Sequence, residues 1–120
     1  MSKIERINID DQELVELVRD DGSRFIVLLT DEGYEPMLRY RDILLEKFNF
    51  ELLSEYGLID MVNVFSYKNN NYTLCYDCDG EMVSLETHPR TDDELNEFRK
   101  ISAYLQSVDI KKNEQGSFCR

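Results

Sequence analysis

The 120-residue chain carries 25 acidic and 14 basic side chains for a net charge of -11, with 42% hydrophobic and 32% charged residues. That balance excludes a disordered or collagenous polypeptide and supplies the core of one domain. Its charge would repel nucleic acid and anionic lipid, and no apolar run reaches the roughly 20 residues that span a bilayer, so neither direct nucleic-acid binding nor a membrane role is expected.

Ile4 to Ile9 alternates apolar and polar residues, as a half-buried strand does. From Glu13 to Thr30 two readings compete. Leu14, Leu17 and Val18 have helical spacing, and Asp10 with Glu13 could cap a short helix over 11–20. Against it, Asp21-Gly22 is a strong hairpin turn and Arg24 to Leu29 is strand material. The hairpin is preferred, with a two-residue turn setting Val18 against Phe25 and Leu14 against Leu29.

Pro36 fits the first turn of a helix over about 36–56, with Leu38, Ile43, Leu44, Phe48, Leu52 and Tyr56 as apolar positions. Asn49 marks a bend or break, and Gly57 a C-terminal stop. Met61 to Tyr67, Tyr72 to Cys78 and Glu81 to Thr87 then read as a three-stranded meander. An Asp79-Gly80 turn pairs Tyr76 with Val83, Leu74 with Leu85 and Tyr72 with Thr87. An Asn69-Asn70 turn pairs Tyr67 with Tyr72 and Phe65 with Leu74, so both hairpins put apolar groups on one face.

Thr91 and Glu94 form a capping box, with Asp92 and Asp93 favoured at the positive end of the helix dipole. The helix over about 92–107 turns Leu95, Phe98, Ile101, Ser102 and Leu105 inward. The expected fold is α+β: one domain over residues 1–109, in which an antiparallel sheet of N-terminal strand, hairpin and meander (61–87) packs on two helices. Residues 110–120 are expected to form a loose polar tail.

The first residues lack the apolar segment of a signal peptide, so the expected location is cytoplasmic, and the three cysteines are expected to stay reduced. Cys75, Cys78, His88 and Cys119 are a ligand set zinc could take, but residues three apart on a strand face opposite ways, which separates Cys75 from Cys78. No cofactor is expected. His88 as a general base has no Ser or Cys tied to it by spacing. Asp77-Cys78-Asp79-Gly80 resembles the DxDG opening of haloacid dehalogenase-type phosphatases, which implies Asp77 as nucleophile and Asp79 as general acid. Glu81 departs from the threonine or valine of that family, and a hairpin turn alone accounts for Asp79-Gly80. No enzymatic activity is expected.

In size and charge the chain resembles immunity proteins, antitoxins and DNA mimics, which act as small acidic inhibitors. That resemblance implies a basic protein partner, met by clustered acids at Asp10, Asp11, Glu13, Glu16, Asp20, Asp21, Asp31 and Glu32. Tyrosines, rigid and tipped with one polar group, suit such an interface. The alternative is a homo-oligomeric scaffold domain that associates through a strand edge or aromatic patch, possible as a homodimer.

Overall fold

Alternation after Lys3 produces strands, and the helix over 11–20 does not form. The computed structural model describes residues 3–30, 35–57, 61–77 and 82–108. Strand β1 (Lys3–Ile9) turns at Asp10-Asp11, both left-handed (φ 51 and 65), into β2 (Gln12–Val18), and the two pair from Lys3 opposite Val18 to Ile9 opposite Gln12. Left-handed backbone at both central residues suits the right-handed twist of a hairpin.

Strand β3 (Arg24–Thr30) follows, one residue away from the expected register: Leu17, not Val18, faces Phe25. The cause is a loop of Asp20, Asp21 and Gly22. Arg19 N–H donates to the Ser23 carbonyl (2.9 Å), Gly22 N–H donates to the Arg19 carbonyl (3.0 Å), and Gly22 takes φ 93. Asp21 Oδ1 accepts from both the Ser23 amide (2.8 Å) and its hydroxyl (2.7 Å), which draws a third residue into the turn. The one-residue shift turns Leu14 and Glu16 to the same side as Ile26 and Leu28, all buried. Phe25 lies half-buried with the Arg19 guanidinium 4.9 Å from its ring centroid.

Helix α1 (Glu35–Glu46) is shorter than the expected 36–56. Asn49 adopts a left-handed φ of 59, and Phe50 N–H donates back to the Leu44 carbonyl (3.0 Å), so the chain reverses there. Leu52 and Tyr56 belong to a strand, β4 (Glu51–Tyr56), and not to a continued helix. Their spacing fits either structure, and pairing with the next strand decides: Leu52 opposes Phe65 and Tyr56 opposes Val62.

Strands β5 (Met61–Tyr67), β6 (Asn70–Asp77) and β7 (Met82–Thr87) form the meander. Tyr76 faces Val83, Leu74 faces Leu85 and Tyr72 faces Thr87, as expected. Cys78, Asp79, Gly80 and Glu81 lie outside the described residues. Between β5 and β6 the turn is Lys68-Asn69, with φ 49 and 64, and not Asn69-Asn70, so Phe65 faces Tyr72. Because the shift is two residues, the inward set keeps its face.

Helix α2 (Asp92–Ser107) starts where Thr91 Oγ1 accepts the Glu94 amide (3.1 Å). The Glu94 carboxylate accepts the Arg90 amide (2.7 Å) in place of the expected Thr91 amide. Phe98, Ile101, Ser102 and Leu105 are buried as the stripe requires, and Leu95 packs partly buried against the core.

The seven strands of the described residues join one antiparallel sheet in the order β1-β2-β3-β7-β6-β5-β4. The chain runs from one edge to the middle, crosses with α1 to the far edge, and returns to the middle. One cross-strand row reads Glu16, Ile26, Leu85, Leu74, Asn63, Glu55. Arg99 of α2 reaches Glu16 and Arg41 of α1 reaches Glu55, which places both helices on the face that this row presents. The core lies between them and includes Tyr40, Phe65, Tyr72, Leu74, Leu85 and Phe98. No helix among the described residues is long and apolar enough to cross a membrane.

Candidate functional site

The acids singled out in the sequence do not form one face. Asp10 and Asp11 are exposed in the β1–β2 turn, and Glu13 is exposed beside Arg6 (3.5 Å). Asp20 and Asp21 are exposed in the β2–β3 turn, at the other end of β2. Seven residues of strand separate the two turns, roughly 23 Å at 3.3 Å per residue. Asp31 and Glu32 lie outside the described residues. Ser23 hydrogen bonds hold the Asp21 carboxyl below its ordinary value.

Glu16 is a correction: it is fully buried, so it is unavailable to a partner. Its Oε2 accepts from Arg24 Nη1 (2.8 Å) and Arg99 Nη2 (2.9 Å), and its Oε1 accepts from Arg99 Nε (2.9 Å). Burial alone would push the Glu16 carboxyl up. Hydrogen bonds and charge from Arg99, then Arg24, outweigh it and hold the group below its ordinary value. This cluster fastens α2 to β2 and β3.

A second grouping, not among the predicted site residues, forms where the β5–β6 turn meets the first turn of α2. Tyr67, Lys68, Asn70, Tyr72, Asp93, Glu94 and Glu97 line a cavity of about 170 Å³. The left-handed turn at Lys68-Asn69 brings Tyr67 and Tyr72 side by side, with ring centroids 5.9 Å apart. Tyr67 donates its hydroxyl to Glu97 Oε2 (2.9 Å), and the Lys68 ammonium sits 3.8 Å from the same carboxylate. Burial, then the bond to Glu97, raises the Tyr67 phenol. Tyr67, its hydroxyl first, and Glu97 raise the Lys68 ammonium. Glu94 is engaged by Arg90 Nη2 (2.7 Å), whereas Asp93 makes no ion pair among the described residues. Three carboxylates against one ammonium leave this lining with a formal charge of -2. Such a wall of phenol rings and carboxylates accepts hydrogen bonds and offers ring faces, so it suits a cation and repels an anion.

The sequence signal for this site was present but divided. Asp93 and Glu94 read as helix-capping acids, and Tyr67 and Tyr72 as meander residues.

Of the four zinc-type residues, Cys75 is half-buried on the sheet face away from the helices, opposite Ser84. His88 is exposed after β7, with its ring against Gly22. Cys78 and Cys119 lie outside the described residues. Among the described residues no group of three His, Cys, Asp or Glu is placed to hold a metal ion. Asp77, at the end of β6, is half-buried, and its motif partner Asp79 is not described. Set against known proteins, the chain matches no family model, no curated protein and no solved structure.

Proposed function

We propose that the chain is a small acidic binding module that inhibits or regulates a basic protein partner in the cytoplasm. The observation that carries this reading is where the positive charge goes. Arg19, Arg24, Arg41, Arg90 and Arg99 each turn onto a carboxylate of the chain itself, at 2.7–3.0 Å. Asp10, Asp11 and Asp93 stay exposed without an ion pair among the described residues. With these arginines paired to the chain's own carboxylates, the net charge of -11 leaves an excess of unpaired acids, an arrangement that steers a basic protein and repels nucleic acid.

The test is capture of partners by the tagged protein from its native lysate, washed at low and then at high salt, with mass spectrometry of the eluate. A basic protein released by salt is the expected result. Replacing Asp10, Asp11, Glu13, Asp20 and Asp21 with Asn or Gln should then slow association with that protein and flatten its salt dependence. Rates unchanged by all five substitutions overturn the electrostatic reading.

A second reading, self-association, is favoured by one observation. Edge strand β4 is exposed along its whole length, and a bulge presents Leu53 at 51% exposure near Tyr56 at 59%. Unprotected apolar edges recruit further strands. Light scattering across a concentration series reads this directly: a Leu53→Lys variant should lose any dimer the parent forms, and a parent that stays monomeric throughout removes the reading.

A further inference from the structure

Tyr72 is only 2% exposed, yet its hydroxyl makes no hydrogen bond among the described residues. Phe50, Tyr67 and Phe98 pack around its ring, at centroid distances of 4.9, 5.9 and 6.1 Å. Its hydroxyl end is what remains to reach the cavity, beside Glu97 and Glu94; burial first, then the charge of Glu97, raises the phenol. The hydroxyl oxygen is not sealed off within the core: it stays accessible from the cavity, where an entering donor can reach it.

The cavity already shows what it prefers. Phe50 stacks on one face of Tyr67 (4.4 Å, 23°), and the Lys68 ammonium lies over the ring, 5.2 Å from its centroid. Lys68 lies at the open side of the cavity: its side chain is 68% exposed. At about 170 Å³ the space is smaller than the roughly 300–1,000 Å³ of small-molecule sites, and close to the ~150 Å³ that admits one benzene ring. It has room for one planar head group. A guanidinium is planar, permanently charged and purely a donor, so it can stack on Tyr67, donate to the Tyr72 oxygen, and pair with Asp93 and Glu97.

We infer that this cavity is an anchor for one arginine side chain of a protein partner, received by Tyr67, Tyr72, Asp93 and Glu97 as Lys68 is displaced from its mouth. The assignment rests on the reading that the partner is basic, and it adds where and by which side chain the partner is gripped.

The test is an NMR titration of the whole protein with N-acetyl-arginine amide, with N-acetyl-lysine amide and N-acetyl-citrulline amide at equal ionic strength. Ring signals of Tyr67 and Tyr72 should shift saturably, with arginine tightest, lysine weaker, and the neutral citrulline at least about tenfold weaker. Asp93→Asn and Glu97→Gln should each weaken arginine binding by about tenfold. Lys68→Gln, on an exposed turn and therefore compatible with folding, should tighten it several-fold by removing the internal competitor. Equal binding of citrulline, or Lys68→Gln binding no better than the parent, overturns the anchor. A protein that ignores arginine amide yet captures a salt-released basic partner overturns the anchor alone. One that binds arginine amide but captures no basic protein overturns the broader reading alone.

Discussion

Where α2 crosses β2 and β3, sheet and helix meet through Glu16, Arg24 and Arg99; under β5 and β6 they meet through Phe50, Phe65, Tyr67, Tyr72 and Phe98. Both arrangements fill the same layer of the fold. The first is directional and depends on every partner being present, because one carboxylate balances two guanidinium groups. The second is additive, since each ring contributes area and an edge-to-face or stacked contact whatever its neighbours do. A charge cluster fixes the angle and register of α2, and a ring cluster supplies bulk.

The largest effect that tests this contrast is expected from Phe50→Ala. Phe50 is 4% exposed and touches Phe48, Phe65, Tyr67 and Tyr72, so truncation should cost about 3–5 kcal/mol in urea unfolding. Hydrogen exchange should accelerate first in β5 and β6. Faster exchange spread equally over β1 to β3 would mean that the two halves are not held separately.

Next is Glu16→Gln. Removing one member of a buried ion cluster costs about 3–5 kcal/mol, and the partial exposure of Arg24 and Arg99 (23% and 19%) places this loss near 3 or below. The same variant sharpens the contrast with pH. The folded Glu16 carboxyl titrates below its ordinary value of 4.5, so its stabilisation is full above that pH and is lost as pH falls through the lowered folded value. The stability gap between parent and Glu16→Gln should therefore narrow below about pH 4.5. A gap that stays constant from neutral pH to about pH 3 would remove the charged carboxylate from the account.

The smallest effect is at Gly22. A Cβ there would stand 2.9 Å from His88 Nε2 on a backbone of φ 93, although the histidine ring is exposed and can swing aside. Gly22→Ala should cost about 1 kcal/mol, read as a small drop in Tm, with β2 and β3 still paired.

The β6–β7 register was legible because Leu74, Tyr76, Val83 and Leu85 alternate cleanly, and one-residue errors would expose them all. The β2–β3 register was not, since Asp21 adds hydrogen bonds to Ser23 that lengthen the loop. Strand β4 was hidden because Phe48, Leu52 and Tyr56 recur every four residues, as on a helix, and only the pairing of Leu52 with Phe65 separates the cases. Glu16 looked like one more surface acid, because its partner Arg99 is distant in sequence and reaches it only once α2 lies on the sheet. The tyrosine and carboxylate cavity was not legible as one site for the same reason: its two walls come from separate elements, each readable only by itself.

Among the described residues, every strand pair but one joins neighbours in the chain. The exception is β3 with β7, where Val27 stands opposite Ser84. Loop closure grows costlier with the length of intervening chain, and distant pairings slow folding. Each half of the sheet can therefore assemble from its own turns, leaving the β3–β7 seam to close last. That seam is also the one strand pair a second molecule can supply without opening a hairpin, so a domain-swapped dimer of this protein would exchange β1 to β3 as a unit and hinge between β3 and β4.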